Sequence, residues 1–218
     1  MGRVTALVSA YYAADLLEGR LRNLRENGAT PVIVCQAGSE EDEIADSLME
    51  VRLKTTDVPT LYLAWNLGAQ LSDSDYLTSA NCDDRFYAGG LDALVSYLDT
   101  HPDVDIVHGD CDVKENGHIH PWARPGESVS LQACRVGPMP VWRRSLHARF
   151  GYFDMSMKVA GDYDFWLRCV TGGAKVAHID KVVGLYWRRG DSLEHRYPEE
   201  LQRENAIIRE RYRYAAGK

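Results

Sequence analysis

Apolar and polar positions alternate in blocks along the first 110 residues, and the blocks switch period. Val4–Ala10 is a β-rich apolar run and predicts a strand. After it Leu17, Leu21 and Leu24 recur at spacings of 4 and 3, a helical stripe, with Asp15 placed to cap the helix and Gly28 to stop it. "PVIVC" (31–35) is short and wholly apolar, the pattern of a strand buried on both faces of a parallel sheet. Ser39 is a good N-cap, and the acidic residues after it suit the positive end of a helix dipole. "TLYLAWNLGAQ" (60–70) predicts a further helix and Tyr76–Ser79 a further strand. Leu91, Leu94, Val95 and Leu98 follow the i, i+3, i+4, i+7 pattern of an amphipathic helix that ends at His101-Pro102. Asp105–Gly109 then returns to strand.

This β-α-β-α order predicts a layered α/β domain with a mostly parallel sheet. Ligands in such sheets sit beyond the C-terminal ends of the strands. Ala10–Tyr12, Gln36–Ser39 and Asn81–Arg85 all follow predicted strands, so they converge on one edge. The second half is less regular. Residues 112–136 are polar with Gly and Pro and read as a long hairpin or a loop over the site. "GDYDFWLRCV" (161–170) reads as the start of a helix, with strands at Lys175–His178 and Val182–Trp187. Pro198 to about Tyr214 is a charged amphipathic helix with proline in its first turn. No repeat, low-complexity tract or linker interrupts the chain, so residues 1–218 are expected to form one domain.

Composition narrows the classes of function. A net charge of −7 and a pI near 5.5 argue against a general nucleic-acid binder, although Arg135, Arg143, Arg144 and Arg149 leave a local basic patch open. No stretch approaches the ~20 apolar residues of a membrane span. The N-terminus "MGRVTALVSAYY" lacks the pattern of a signal peptide, and Ala6 stands where a myristoylation signal needs Ser or Thr. The five cysteines show no CxxC spacing, so neither a zinc site nor a disulfide framework is expected. The expected location is the cytoplasm.

Two acidic motifs carry candidate chemistry. In "ANCDDR" (80–85), Asp83 and Asp84 offer hard oxygen ligands at a strand end, which suit Mg²⁺ or Mn²⁺; equally, Asn and Asp are turn formers that bond their own backbone. In "AGDYDFWLR" (160–168), Asp162 stands at a helix start, as a base or as an N-cap. One acidic site for a metal and one for a base is what group transfer from a diphosphate donor requires. His118 and His120 have an i, i+2 spacing open to metal binding. Of the five tryptophans, Trp166 and Trp187 lie in apolar segments and read as core, whereas Trp122 reads as exposed and free to face a sugar.

Taken in order, "VTALVSAYYAADLLEGRLRNL", "PVIVCQAGSEED", "DYLTSANCDDRFYAGGLDALVSYLDTHPDVDIVHGD", "FGYFD" and "AGDYDFWLR" resemble the successive blocks of family 2 glycosyltransferases of the GT-A fold, over roughly residues 3–190. The resemblance implies an α/β, Rossmann-like fold with a nucleotide-sugar-binding half (1–110), an irregular acceptor-side half (111–197) and a C-terminal helix (198–218). It implies inverting transfer of a sugar from a nucleoside diphosphate, a UDP-sugar first, to a glycan, lipid-linked or small-molecule acceptor, with Mn²⁺ or Mg²⁺. Ala10 and Tyr11 would pack on the nucleotide base. Asn81, Asp83 and Asp84 cover the Asp-x-Asp region, with Asp83 and then Asp84 as metal ligands. Asp162 matches the general base, and Arg188, Arg189 or His195 would lie near the diphosphate, Arg188 first. The sequence departs from the pattern at Gln36, where a uracil-recognising carboxylate is usual, and at Asn81, where the first Asp stands. It also lacks the Gln-x-x-Arg-Trp block of processive synthases. These departures keep a catalytically silent sugar-nucleotide or glycan-binding module as the second expectation. A nucleotidyltransferase would show a Gly-rich basic loop after the first strand, and "SAYYAAD" is neither.

Overall fold

The computed structural model describes residues 3–126 and 128–213. Its first half alternates as the hydrophobic pattern predicts: β1 (Val4–Ser9), α1 (Ala14–Glu26), β2 (Ala29–Gln36), α2 (Glu40–Ser47), β3 (Arg52–Thr55), α3 (Leu61–Leu71) and β4 (Tyr76–Ala80). There follow β5 (Arg85–Phe86), α4 (Gly90–Thr100), β6 (Ile106–Glu115), β7 (His118–Trp122), β8 (Val141–Arg143), α5 (Ser145–Phe150) and α6 (Gly161–Thr171). The chain then forms β9 (Val176–Trp187), α7 (Leu193–Arg196) and α8 (Pro198–Tyr212). The expected helix end at Tyr214 lies outside the described residues.

The strands form one sheet in the order β3-β2-β1-β4-β8-β6-β9-β5, with β7 paired to β6. Strands β1 to β4 run parallel, β8 enters antiparallel between β4 and β6, and β9 runs parallel to β6. Helices cover both faces. On β1, Val4, Ala6 and Val8 pack with α1 and α4, while Leu7 packs with α3 and α6, as the two-residue period of a strand requires. Strands β1 and β4 are buried along their whole length, so neither alternates apolar with charged residues; the small hydroxyl residues Thr5, Ser9, Thr78 and Ser79 are buried with the rest.

Several local expectations change. Asp15 does not cap α1: it sits inside the first turn, and the N–H of Ala13 is taken by the Glu41 carboxylate at 2.8 Å. Ser39 does cap α2, accepting from the Asp42 N–H. The two strands expected at 175–178 and 182–187 are one strand, β9. Its pairing with β6 slips at Gly109 and Asp110, where a Cβ on Gly109 would stand 2.6 Å from the Lys181 carbonyl. Glycine therefore admits the bulge. The 112–136 segment is a hairpin first, closed by Asn116 and Gly117 at positive φ, and a loop afterwards. That loop is tied down by Asp110, which accepts the Arg124 N–H at 2.7 Å, and by a 2.8 Å bond between His108 and Ser128.

Arginines 143, 144 and 149 do not form a basic patch. Arg143 donates to the carbonyls of Val104 and Leu98, Arg144 to that of Ser74, and Arg149 pairs with Asp105 at 2.7 Å. All five cysteines are unpaired. Among the described residues no helix is long and apolar enough to cross a membrane.

Candidate active site

A cavity of about 530 Å³ opens beyond the C-terminal ends of β1 and β4. Ser9, Tyr11, Asn81 and Asp83 form its sheet-end wall; Gln132 and Cys134 come from the loop after β7, and Asp162 from the first turn of α6. Tyr186, Trp187, Arg189 and Arg196 close a third side, and Asn205 and Arg209 of α8 complete it. Brought together are a carboxylate at a strand end, a carboxylate at a helix start and a set of guanidinium groups.

The Asn81–Arg85 turn is held from below. Arg85 donates to the carbonyls of Cys82 and Asp84, both at 2.7 Å. Asn23 of α1 bonds both the N–H and the carbonyl of Phe86, each at 2.9 Å. This leaves Asp83 on the cavity wall, half-buried; burial raises its pKa and the charge of Arg189 opposes the shift. Asp84 points the other way and is 1 % exposed. Its two oxygens accept from the Trp187 N–H at 3.3 Å and the Asn81 side-chain amide at 3.4 Å. Burial, reinforced by the charge of Asp83 and opposed by Arg20, pushes its pKa up to about 7.

Asp162 is held through one oxygen. Its Oδ1 accepts from the N–H of Tyr163 at 2.9 Å and from the hydroxyl of Tyr62 at 3.3 Å. Desolvation raises its pKa, and these two bonds oppose the rise. Tyr62 is buried beneath the turn, so close that a Cβ on Gly161 would meet its ring at 2.7 Å. Only glycine lets the helix start pack there.

No family model matches the chain. An uncharacterized glycosyltransferase of Bacillus subtilis, YwdF, is 28 % identical over 116 residues, 48 % of this chain and 42 % of that protein. PGL/p-HBAD biosynthesis glycosyltransferases of Mycobacterium tuberculosis and Mycobacterium bovis are 25 % identical over 124 residues, 56 % of this chain and 48 % of theirs. The chain thus spans less than half the length of these curated relatives. Among solved structures, S. aureus TarS 1–349 in complex with UDP-GlcNAc aligns with a TM-score of 0.76 at 16 % identity, over 94 % of this chain and 66 % of that one. The mannosyltransferase PcManGT from Pyrobaculum calidifontis, in complex with GDP-Man and Mn²⁺, aligns at 0.72 and 16 % identity, over the whole of this chain and 65 % of that one. The chain has the GT-A glycosyltransferase fold.

Within the GT-A fold the residues singled out in the sequence separate into two groups. Tyr11, Asn81, Asp83 and Asp162 line one cavity. Ala10, Gln36, Asp84 and Arg188 do not line it. Ala10 is fully buried behind the wall, and Gln36 bonds the Thr56 carbonyl at 3.2 Å, turned toward β3. Arg188 lies over Trp122 and Tyr186, at 5.2 and 5.8 Å from the ring centres, and 3.7 Å from Glu115. Its neighbour Arg189, just past the end of β9, reaches the cavity instead, paired with Asp191 at 3.0 Å and lying 5.7 Å from the centre of the Trp187 ring. Trp122 is half-buried between Arg124 and Arg188 rather than exposed, and Trp187 lies on the cavity wall rather than in the core. His118 and His120 lie on the exposed β7 hairpin, and among the described residues no group of three or more His, Cys, Asp or Glu is placed to hold a metal.

Tyr62, Arg196 and Arg209 also line the cavity, without a signal in the sequence. Tyr62 reads as an ordinary apolar-face residue of a helix, and no local pattern marks an arginine as facing a cavity. In the case of Arg189 the signal was present in "YWRRG", but the sequence alone does not say which arginine turns inward.

Proposed function

We propose that the chain is an inverting glycosyltransferase domain that moves a sugar from a nucleoside diphosphate to an acceptor hydroxyl, with Asp162 as general base and a divalent cation at Asp83. The observation that carries this reading is that Asp83 and Asp162 face one cavity from different elements, a strand end and a helix start. The named relatives and the UDP-GlcNAc and GDP-Man complexes of its structural neighbours support a nucleotide-sugar donor, with UDP-sugars the first to try.

The donor set at the strand end fits Mn²⁺ or Mg²⁺. Such ions are held by one or two carboxylates, with waters and substrate phosphates filling the rest of the shell. Asp83 supplies the carboxylate and Asn81 a neutral oxygen beside it, while Asp84 braces the turn from behind. When bound, the cation neutralises charge on the departing diphosphate. The chain's own groups do the remaining work. Tyr11 offers an aromatic wall for the base, and Arg189 and Arg196 add positive charge where the diphosphate would lie. Asp162 has both bonding partners on Oδ1, so Oδ2 is the oxygen that would take the acceptor proton. A pKa raised by burial brings this base closer to neutral pH, where proton transfer is more effective. The five unpaired cysteines fit a reducing compartment, the cytoplasm.

Incubation with Mn²⁺ and UDP-, GDP- and dTDP-sugars tests the reading. Slow release of nucleoside diphosphate from one of them is the expected result. Binding without any turnover would favour the silent binding module, which Asn81 in place of a carboxylate keeps in play. No binding and no turnover would overturn both.

A further inference from the structure

Glu204 lies in the middle of α8, on a helix whose neighbours Arg203 and Asn205 are at least partly exposed, yet Glu204 itself is fully buried. Its carboxylate accepts three consecutive backbone N–H groups: Lys158 at 2.5 Å, Val159 at 2.9 Å and Ala160 at 2.7 Å. Ala160 is the residue before α6, and Asp162 follows two positions later. Among the described residues no lysine or arginine forms an ion pair with Glu204; three N–H groups and the start of α6 face its carboxylate, with the charge of Arg203 acting at longer range.

Burying a carboxylate without a counter-cation is costly, and a helix start can be capped more cheaply by a neutral side chain. What the charge adds is geometry, because charge-assisted bonds to three successive N–H groups fix the entry of the chain into the helix. Helix α8 grips α6 again on the far side of Asp162. Arg211 and Tyr212 lie about two turns farther along α8 than Glu204, and both bond the buried Asp164 carboxylate, at 2.6 and 3.2 Å. The turn that presents Asp162 is therefore held by α8 before and after it. Of the remaining contacts, Tyr163 acts on Asp162 Oδ1 alone, while Tyr62 supports the turn from the other side, its hydroxyl 2.7 Å from the Val159 carbonyl and 3.3 Å from Oδ1. Glu204 is the group that holds three successive N–H groups of the turn.

We infer that Glu204 is a positioning residue for the base: its carboxylate sets the 158–160 backbone and thereby the aim of Asp162 into the cavity. This rests on Asp162 being the base. Glu204 does not itself line the cavity; it acts on the wall from behind, through the N–H groups of Val159 and Ala160, which do line it. Its loss should lower turnover without changing donor affinity.

The test compares Glu204→Gln and Glu204→Ala with the wild type, using UDP as the binding probe and the nucleotide sugar that the wild type turns over fastest. Expected are UDP affinities within about twofold of wild type, and a kcat at least about tenfold lower in Glu204→Ala. Glu204→Gln, which keeps one acceptor oxygen, should fall between the two. The amide proton of Ala160 should shift upfield in both variants, reporting loss of the charged acceptor. If either variant fails to fold, Glu204→Asp, which keeps the charge but shortens the reach, takes its place in the comparison. Wild-type kcat in the variants, or UDP affinity falling in step with kcat, would overturn the inference, because a merely structural support would fail in that way. A wild type that turns over no donor would instead overturn the base assignment, and this inference with it.

Discussion

Asp83 and Asp84 are consecutive residues with opposite surroundings: Asp83 faces the cavity, while Asp84 is 1 % exposed and bonded by Trp187 and Asn81. The turn places their side chains on opposite sides of the backbone, and Arg85 and Asn23 lock it in that state. Asp83→Asn is expected to weaken Mn²⁺-dependent UDP binding by about tenfold or more, roughly 1.4 kcal/mol. Asp84→Asn sets an amide NH2 against the Trp187 N–H or the Asn81 amide, so the turn should lose about 1 kcal/mol or more of stability. UDP binding, by contrast, should change by no more than about threefold, because Asp84 does not line the cavity. Titration calorimetry with and without Mn²⁺ separates the two, and equal losses would count against the assignment.

Asp162→Asn keeps the bond from Tyr163 but removes the proton acceptor. Turnover should fall by about 10²–10⁴-fold, the usual worth of a general base, with UDP affinity retained. In the wild type the acid limb of the pH–rate profile should lie above the ordinary Asp range, because burial raises this pKa. A profile flat through that region would contradict the role.

Arg188 and Arg189 offer a paired test of cavity placement. Arg189→Ala should weaken UDP binding by about tenfold, as loss of a partly solvated phosphate contact does. Arg188→Ala should leave UDP binding within about twofold and instead loosen the Trp122 hairpin, at about 1 kcal/mol for a cation–π contact. Parallel UDP titrations and urea melts would show which side chain matters to which property.

His147 predicts an acid instability. Its Nε2 accepts from the Trp142 indole N–H at 3.2 Å, and its Nδ1 lies 3.1 Å from the Gly151 carbonyl, an arrangement that requires the neutral ring. Burial lowers its pKa from 6.5 to about 4. The unfolded chain therefore binds a proton that the folded chain refuses between these values. The stability is fully present above pH ~6.5 and is lost as pH falls toward ~4, by up to about 3 kcal/mol. His147→Gln should flatten this slope in urea melts taken across the range, while an unchanged slope would assign the acid sensitivity to another group.

Sequence alone determined the layered half of this protein. The apolar runs of β1, β2 and β4 and the heptad-like spacings of α1 and α4 are local signals, because burial on one face or on both repeats at the period of the element. The convergence of Tyr11, Asn81 and Asp83 also follows from the sequence, since parallel strands put their ends on one edge. Short elements were not legible: β3 and β8 have 4 and 3 residues, too few for a period to show. Nor was the single bulged course of β9, which depends on Gly109 meeting a carbonyl from 72 residues away (181 − 109). Only the tertiary structure decided orientation: that Asp84 turns inward while Asp83 faces the cavity, that Arg189 rather than Arg188 reaches it, and that Glu204 anchors the start of α6. Each of these is set by partners distant in the chain, and the identity of a residue does not encode which way its neighbours will make it face.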